Sequence, residues 1–213
     1  MTIETPHRFG KAFYDRYYRN RRTRVVTRAE MSRRAALIVA FARHVELPVR
    51  RILDAGCGLG LMREPLKRGL PGARYTGLET SGYLCERYGW EQGSLATWTA
   101  RRPFDLVICY DVLQYLDDRE AGAAMRALGR LCSGVLHFGA LTREDWRDHC
   151  DRRLTDRRVH MRSADWYLPR LRPHFLNAGS GMFLRRGAPL HLWALERMPS
   201  ASARRLPRPR GRG

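Results

Sequence analysis

The chain has 213 residues, 44% of them hydrophobic, and a formal net charge of +19; a chain of this length buries roughly 70% of its unfolded surface, which suits one domain with its own core. It has no apolar run near the roughly 18 residues of a membrane span, and Met1 to Pro6 has neither the basic start nor the apolar stretch of a signal peptide. A soluble, cytoplasmic protein without a membrane partner is expected. Cys57, Cys85, Cys109, Cys132 and Cys150 are scattered and odd in number, with no C-x-x-C pair, which argues for reduced thiols over disulfides or a zinc site. Positive charge on this scale ordinarily points to nucleic acid. Here lysine stands only at Lys11 and Lys67, and the arginines are dispersed in doublets such as Arg33-Arg34 and Arg157-Arg158. A solvated basic surface is favoured, with a nucleic-acid partner kept as an alternative.

Phe13, Tyr14, Tyr17 and Tyr18 crowd near the N-terminus ahead of a basic stretch. Leu37, Ala40, Phe41 and Val45 recur at helical spacing and predict a helix from Ala29 to His44, stopped by Pro48. Arg51 to Ala55 then reads as a buried strand entering a loop with Gly56, Gly58 and Gly60 at alternate positions. Such glycines permit positive φ and let a ligand lie against bare backbone. The helix expected over Leu61 to Arg68 turns its free N–H groups toward the same place. A dinucleotide fingerprint needs a third glycine where Leu61 stands, and a P-loop needs Lys-Ser/Thr after its last glycine, where Leu61-Met62 stands.

A second strand, Ala73 to Leu78, ends at Glu79. That carboxylate stands where a strand-helix-strand unit returns its second tip beside the first, and it suits the two hydroxyls of a ribose. Phe104 to Tyr110 is the clearest strand, Arg119 to Leu131 a helix, and Ser133 to Leu141 a fifth strand containing His137, read as a satisfied core histidine. Between Thr142 and Leu168 lie many acids and aromatics, with helix starts at Thr142 and Ser163. His149, Cys150 and His160 there lack a further ligand at a recognisable spacing, and no metal is expected. Asn177-Ala178-Gly179 reads as a helix exit, Gly181 to Arg185 and Pro189 to Glu196 as a closing hairpin, and 198–213 as a disordered basic tail.

The run Asp54-Ala55-Gly56-Cys57-Gly58-Leu59-Gly60 is D-x-G-x-G-x-G, which resembles the first motif of class I S-adenosylmethionine-dependent methyltransferases. The resemblance covers about Arg51 to Glu196. It implies an α/β Rossmann-like fold, a seven-stranded, mostly parallel sheet with an antiparallel last strand and helices on both faces. Its division of the chain is an N-terminal helical lid over 1–50, a methyltransferase domain over 51–197 with an insertion at 142–168, and the tail. S-adenosylmethionine is the implied cofactor. Asp54, Gly56, Cys57, Gly58, Glu79, Thr80, Gly93, Ser94, Leu95 and Tyr110 are its implied contacts, with Tyr14 and Tyr17 covering it. Ser94 stands where the family usually has an acid, and Asp111 and Tyr115 follow the fourth motif into the methyl-transfer cleft.

The expected reaction is methyl transfer to an oxygen or nitrogen of a small molecule held under the aromatic lid, with the protein a monomer or homodimer. His149, His160, Tyr115 and Asp111 are the candidate general bases, in that order. An RNA or protein acceptor is the alternative enzyme reading, and a non-catalytic cofactor-binding protein the alternative outside enzymes, favoured by Ser94.

Overall fold

The computed structural model describes residues 8–198; the expected tail falls outside them except for Met198, whose N–H donates to the Asn177 carbonyl at 2.9 Å. The described chain begins with α1, Lys11–Tyr14, which widens directly into a π-helical turn at Asp15–Arg19. Helix α2, Arg28–His44, starts where the Thr27 side chain accepts the N–H of Glu30, an N-cap that satisfies one of the free donors of the first turn.

Strand β1 (Arg51–Ala55) leads through the glycine loop to α3 (Arg63–Gly69) and β2 (Arg74–Glu79). Then come α4 (Gly82–Tyr88), the two-residue β3 (Glu91–Gln92), β4 (Phe104–Tyr110), α5 (Asp118–Leu131) and β5 (Cys132–Gly139). Helix α6 (Arg143–Asp148), α7 (Ala164–Leu171), β6 (Phe175–Gly179) and β7 (Met182–Arg185) complete the order. The seven strands lie as β3-β2-β1-β4-β5-β7-β6. β1 to β5 are parallel neighbours, and β7 runs antiparallel to both β5 and β6. This is the mostly parallel sheet with an antiparallel end that the motifs imply.

Alternation along the strands divides the core in two. Leu53, Val107 and Cys109 face α5 and α7, packing with Leu128, Met125 and Tyr167. Ile52, Leu106 and Ile108 face α2 and α3, packing with Ile38, Met31 and Leu66. Burial on both faces is why these strands read as continuous apolar runs. A third cluster joins Phe13, Tyr14 and Tyr17 to Leu84, with Leu59, Trp90 and Tyr115 against it, and so holds the N-terminal aromatics over the carboxyl end of the sheet.

Two expectations fail at the C-terminus. Asn177-Ala178-Gly179 is the end of a strand, not a helix exit, and the closing hairpin is β6–β7. Gly179, Ser180 and Gly181 all take positive φ (84°, 50° and 74°), which makes the tight turn between them. The segment from Pro189 to Glu196 joins no strand; it ends in a 3₁₀ turn at Ala194–Glu196 with Trp193 and Leu195 exposed. Helix α3 also begins two residues later than expected, at Arg63.

Candidate active site

The glycine loop leaves β1 with Gly56, Gly58 and Gly60 at φ 78°, 52° and 65°, a region that costs other residues roughly 1–2 kcal/mol each. The three glycines serve different ends. A Cβ on Gly56 would lie 2.2 Å from Val112 Cγ2 and one on Gly60 2.6 Å from Trp90 Cζ2, whereas a Cβ on Gly58 would meet only Tyr14 Cε1 at 4.0 Å. Gly58 alone leaves room above its backbone; the other two admit neighbouring side chains. Trp90, which the sequence did not single out, closes one side of the loop and donates its indole N–H to the Gly58 carbonyl at 3.0 Å.

Glu79 ends β2 beside this loop and is buried. Its Oε2 accepts the Gly58 N–H at 2.9 Å, and its Oε1 accepts the N–H groups of Thr80 and Ser81 at 2.8 and 3.0 Å. The carboxylate therefore fixes the loop to the strand, and Oε2, with one donor, keeps lone-pair capacity for another. Asp54, on β1, is buried with Oδ2 accepting the Tyr75 hydroxyl at 2.6 Å. Burial raises its pKa to about 6, partly offset by the Tyr75 bond. Gly93 donates its N–H to the Glu79 carbonyl at 2.9 Å and Leu95 is buried, but Glu79, Tyr14, Thr80, Gly93, Ser94 and Leu95 line neither of the cavities described next.

A small cavity of about 50 Å³ lies against the loop, lined by Asp54, Gly56, Cys57, Gly58, Met62 and others. A larger one, about 570 Å³, lies beyond it, between α2, the carboxyl ends of β4 and β5, and the segment after β5. Tyr18, Val26, Tyr110 and Asp111 line both. Asp111 sits just past β4 at φ 58° with its N–H on the Gly139 carbonyl at 2.9 Å. Burial raises its pKa to about 6, against the pull of the Arg34 guanidinium. Tyr110 accepts Arg34 Nη2 at 2.9 Å, and the guanidinium carbon stands 3.7 Å from that ring's centroid.

Tyr14 is buried on the loop, and Tyr17 lines the larger cavity together with Tyr115. Burial pushes the Tyr115 phenol upward, which keeps it protonated at neutral pH. His149 and His160 are exposed and line neither cavity. The His160 N–H is tied to the Gln114 carbonyl at 2.7 Å. Of the four candidate bases, the structure gathers Asp111 and Tyr115 and leaves the two histidines outside.

His137 is not the satisfied core residue its strand suggested. It is buried and lines the larger cavity, with Nε2 3.4 Å from Arg34 Nη1 and Nδ1 without a hydrogen-bond partner. Burial first, then Arg34, lower its pKa to about 4. Glu30, Arg34, Gln114 and Asp156 also line this cavity; of these only Asp156 lies in the 142–168 segment that the sequence singles out, and Glu30, Arg34 and Gln114 were passed over. The only signal was the i,i+4 pair Glu30/Arg34, which puts both on one face of α2. Among the described residues no group of three or more His, Cys, Asp or Glu stands together as a metal site, and no helix is long and apolar enough to cross a membrane.

Residues 53–136 match the family model described as a methyltransferase domain. The matched stretch runs from β1 into β5 and includes the glycine loop. The fold is similar to that of two solved structures. Streptomyces venezuelae DesVI superposes with a TM-score of 0.57 at 18% identity, covering 81% of this chain and 95% of that one. Magnesium protoporphyrin IX methyltransferase from Synechocystis PCC 6803 gives 0.57 at 21%, covering 83% and 96%. Among curated relatives, trans-aconitate 2-methyltransferase of Pseudomonas paraeruginosa is 34% identical over 121 residues, 52% of this chain and 42% of that protein. Its Pseudomonas aeruginosa counterpart is 35% identical over 107 residues, 46% and 37%. The match spans less than half the length of these relatives.

Proposed function

We propose that this chain is an S-adenosylmethionine-dependent methyltransferase acting on an oxygen or nitrogen of a small molecule. The observation that carries the reading is the shared wall of the two cavities. A small space at the glycine loop and a large one beyond it meet at Asp111, Tyr110 and Tyr18, as a donor site and an acceptor site have to meet for a group to pass between them.

The residues at the loop fit the cofactor. Asp54 lines the small cavity and suits the α-ammonium of the cofactor's amino-acid end, Glu79 Oε2 suits a ribose hydroxyl, and the open backbone at Gly58 permits close approach. When bound, S-adenosylmethionine supplies a sulfonium-activated methyl group, so the chain's own task is alignment. The fixed loop, Tyr14 and Tyr17 exclude water, and Asp111 is the group poised to take a proton from the nucleophile.

A small acceptor is supported by the size of the larger cavity, about 570 Å³, inside the range usual for small-molecule sites. The curated relatives are likewise named for a small acceptor, trans-aconitate. The test is a thermal melt with S-adenosylmethionine, S-adenosylhomocysteine, NAD and ATP. At about 100 times Kd the first two should stabilise by roughly 2.7 kcal/mol, a rise of roughly 5–11 °C at 2–4 °C per kcal/mol for a domain of this size. A rise with NAD or ATP alone contradicts the reading.

A further inference from the structure

We infer that the acceptor is an organic amine, cationic at neutral pH, whose nitrogen is held by Asp111 and Gln114 in the large cavity. This rests on the methyltransferase reading and narrows it to a substrate class.

Glu30, Asp111, Asp145 and Asp156 line the cavity, with Arg34 the one arginine or lysine among its lining residues. Three of the acids have partners. Asp145 caps α6 through Thr142, Asp156 is bonded to Arg8 and to the Arg158 N–H, and Glu30 stands 3.9 Å from Arg34. Asp111 has one long contact, from Gln114 Nε2 to its Oδ1 at 3.5 Å, with the Arg34 guanidinium and the Tyr110 hydroxyl close enough to favour its charged form. His137, held neutral by burial and Arg34, adds no positive charge.

Gln114 lines the same cavity. It is 4% exposed, and its Oε1 has no hydrogen-bond partner. The contact from Nε2 to Asp111 orients the amide, so a buried acceptor oxygen without a donor belongs to a residue that lines the cavity beside Asp111. Both want N–H donors. An ammonium carries three donors and no acceptor, which matches them, whereas a carboxylate offers only acceptors. Tyr17, Tyr18, Tyr115 and Phe138 also line the cavity, and aromatic rings attract cations, as Arg8 over Tyr115 already shows. A polyanionic acceptor would meet Asp111 and Glu30 as like charges, with Arg34 already engaged by Tyr110.

An ammonium proton passes to the Asp111 carboxylate, and the freed nitrogen pair forms the N–C bond to the methyl. The C–S pair stays on sulfur, giving an N-methylammonium and S-adenosylhomocysteine, and Asp111 returns its proton to water. With its pKa near 6, Asp111 is ionised at neutral pH and close enough to the working range to act.

The experiment is calorimetry on the full chain saturated with S-adenosylhomocysteine, titrated with tyramine, cyclohexylamine and putrescine, and separately with trans-aconitate and citrate. At least one amine is expected to bind, with Asp111→Asn and Gln114→Leu each weakening it tenfold or more, while S-adenosylhomocysteine affinity of Gln114→Leu stays within twofold of the wild type. Tighter binding of a carboxylate than of every amine overturns the inference, as does amine binding untouched by both substitutions, or binding of none of the five probes to the loaded protein. Failure of S-adenosylhomocysteine itself to bind removes the methyltransferase reading, and the inference with it.

Discussion

Glu79 Oε2 accepts the Gly58 N–H at 2.9 Å, so the carboxylate expected to face a ribose is first of all the fastener of the glycine loop. Replacing it leaves the N–H groups of Gly58, Thr80 and Ser81 short of an acceptor, at about 1–3 kcal/mol for each buried donor that water does not reach. Glu79→Ala is predicted to lose about 2–4 kcal/mol of unfolding free energy, and Glu79→Gln, which keeps one acceptor oxygen, clearly less. Urea denaturation of the three proteins checks the order.

Gly56 and Gly58 should respond differently to alanine, although both have positive φ. Gly56→Ala adds a clash with Val112 to the backbone strain, and is predicted to cost about 3 kcal/mol or more. Gly58→Ala meets only Tyr14 at contact distance, and should cost about 1–2 kcal/mol. Val112→Ala should restore part of the loss in Gly56→Ala and none in Gly58→Ala. A double-mutant cycle with a coupling near zero at Gly56 would remove the steric account.

Asp111 gives a pH dependence with a definite sign. Its pKa rises from the ordinary 3.8 to about 6 in the folded protein, so the folded state binds its proton more tightly than the unfolded one. Its contribution is fully present below about pH 4 and is lost as pH rises to about 6. Arg34 and Glu30 from α2, Cys109 and Tyr110 from β4, Tyr18, Tyr115 and Cys150 are the titratable groups that interact with it. Asp111→Asn, which also tolerates left-handed backbone, should match the wild type near pH 4 and exceed it by up to about 3 kcal/mol at pH 8. Asp54 shifts the same way but is present in both proteins and cancels in the difference. Equal melting temperatures of the two proteins at pH 8 would refute this.

The parallel strands were legible because two-sided burial writes itself as apolar runs: Ile52-Leu53 and Leu106-Val107-Ile108-Cys109 need no partner to be recognised. Glu79 was legible because strand-helix-strand geometry fixes where its strand ends. β3 is two exposed residues long and carries no pattern to find. The C-terminal hairpin was displaced because Asn-Ala-Gly is a turn sequence at a strand end as readily as at a helix end, and only pairing with β5 decides. The larger cavity was least legible. Arg34 and Glu30 come from a helix more than 70 residues before Asp111, and His137 looks like core because its strand is core. The exposed His149 and His160 drew notice through residue type alone.

Trp90 lies over Gly60 and Gly77 and bonds the Gly58 carbonyl, so its fluorescence should respond to anything that enters the loop. Titration with S-adenosylhomocysteine is predicted to change emission in the wild type and to leave Trp90→Phe largely unchanged. A change of equal size in Trp90→Phe would assign the signal to another tryptophan.

The most direct measurement is calorimetric titration of the wild type and Glu79→Gln with S-adenosylmethionine. The account predicts micromolar binding weakened at least tenfold, about 1.4 kcal/mol, by the substitution. No binding of S-adenosylmethionine or S-adenosylhomocysteine by the wild type, or equal binding by both proteins, would contradict it.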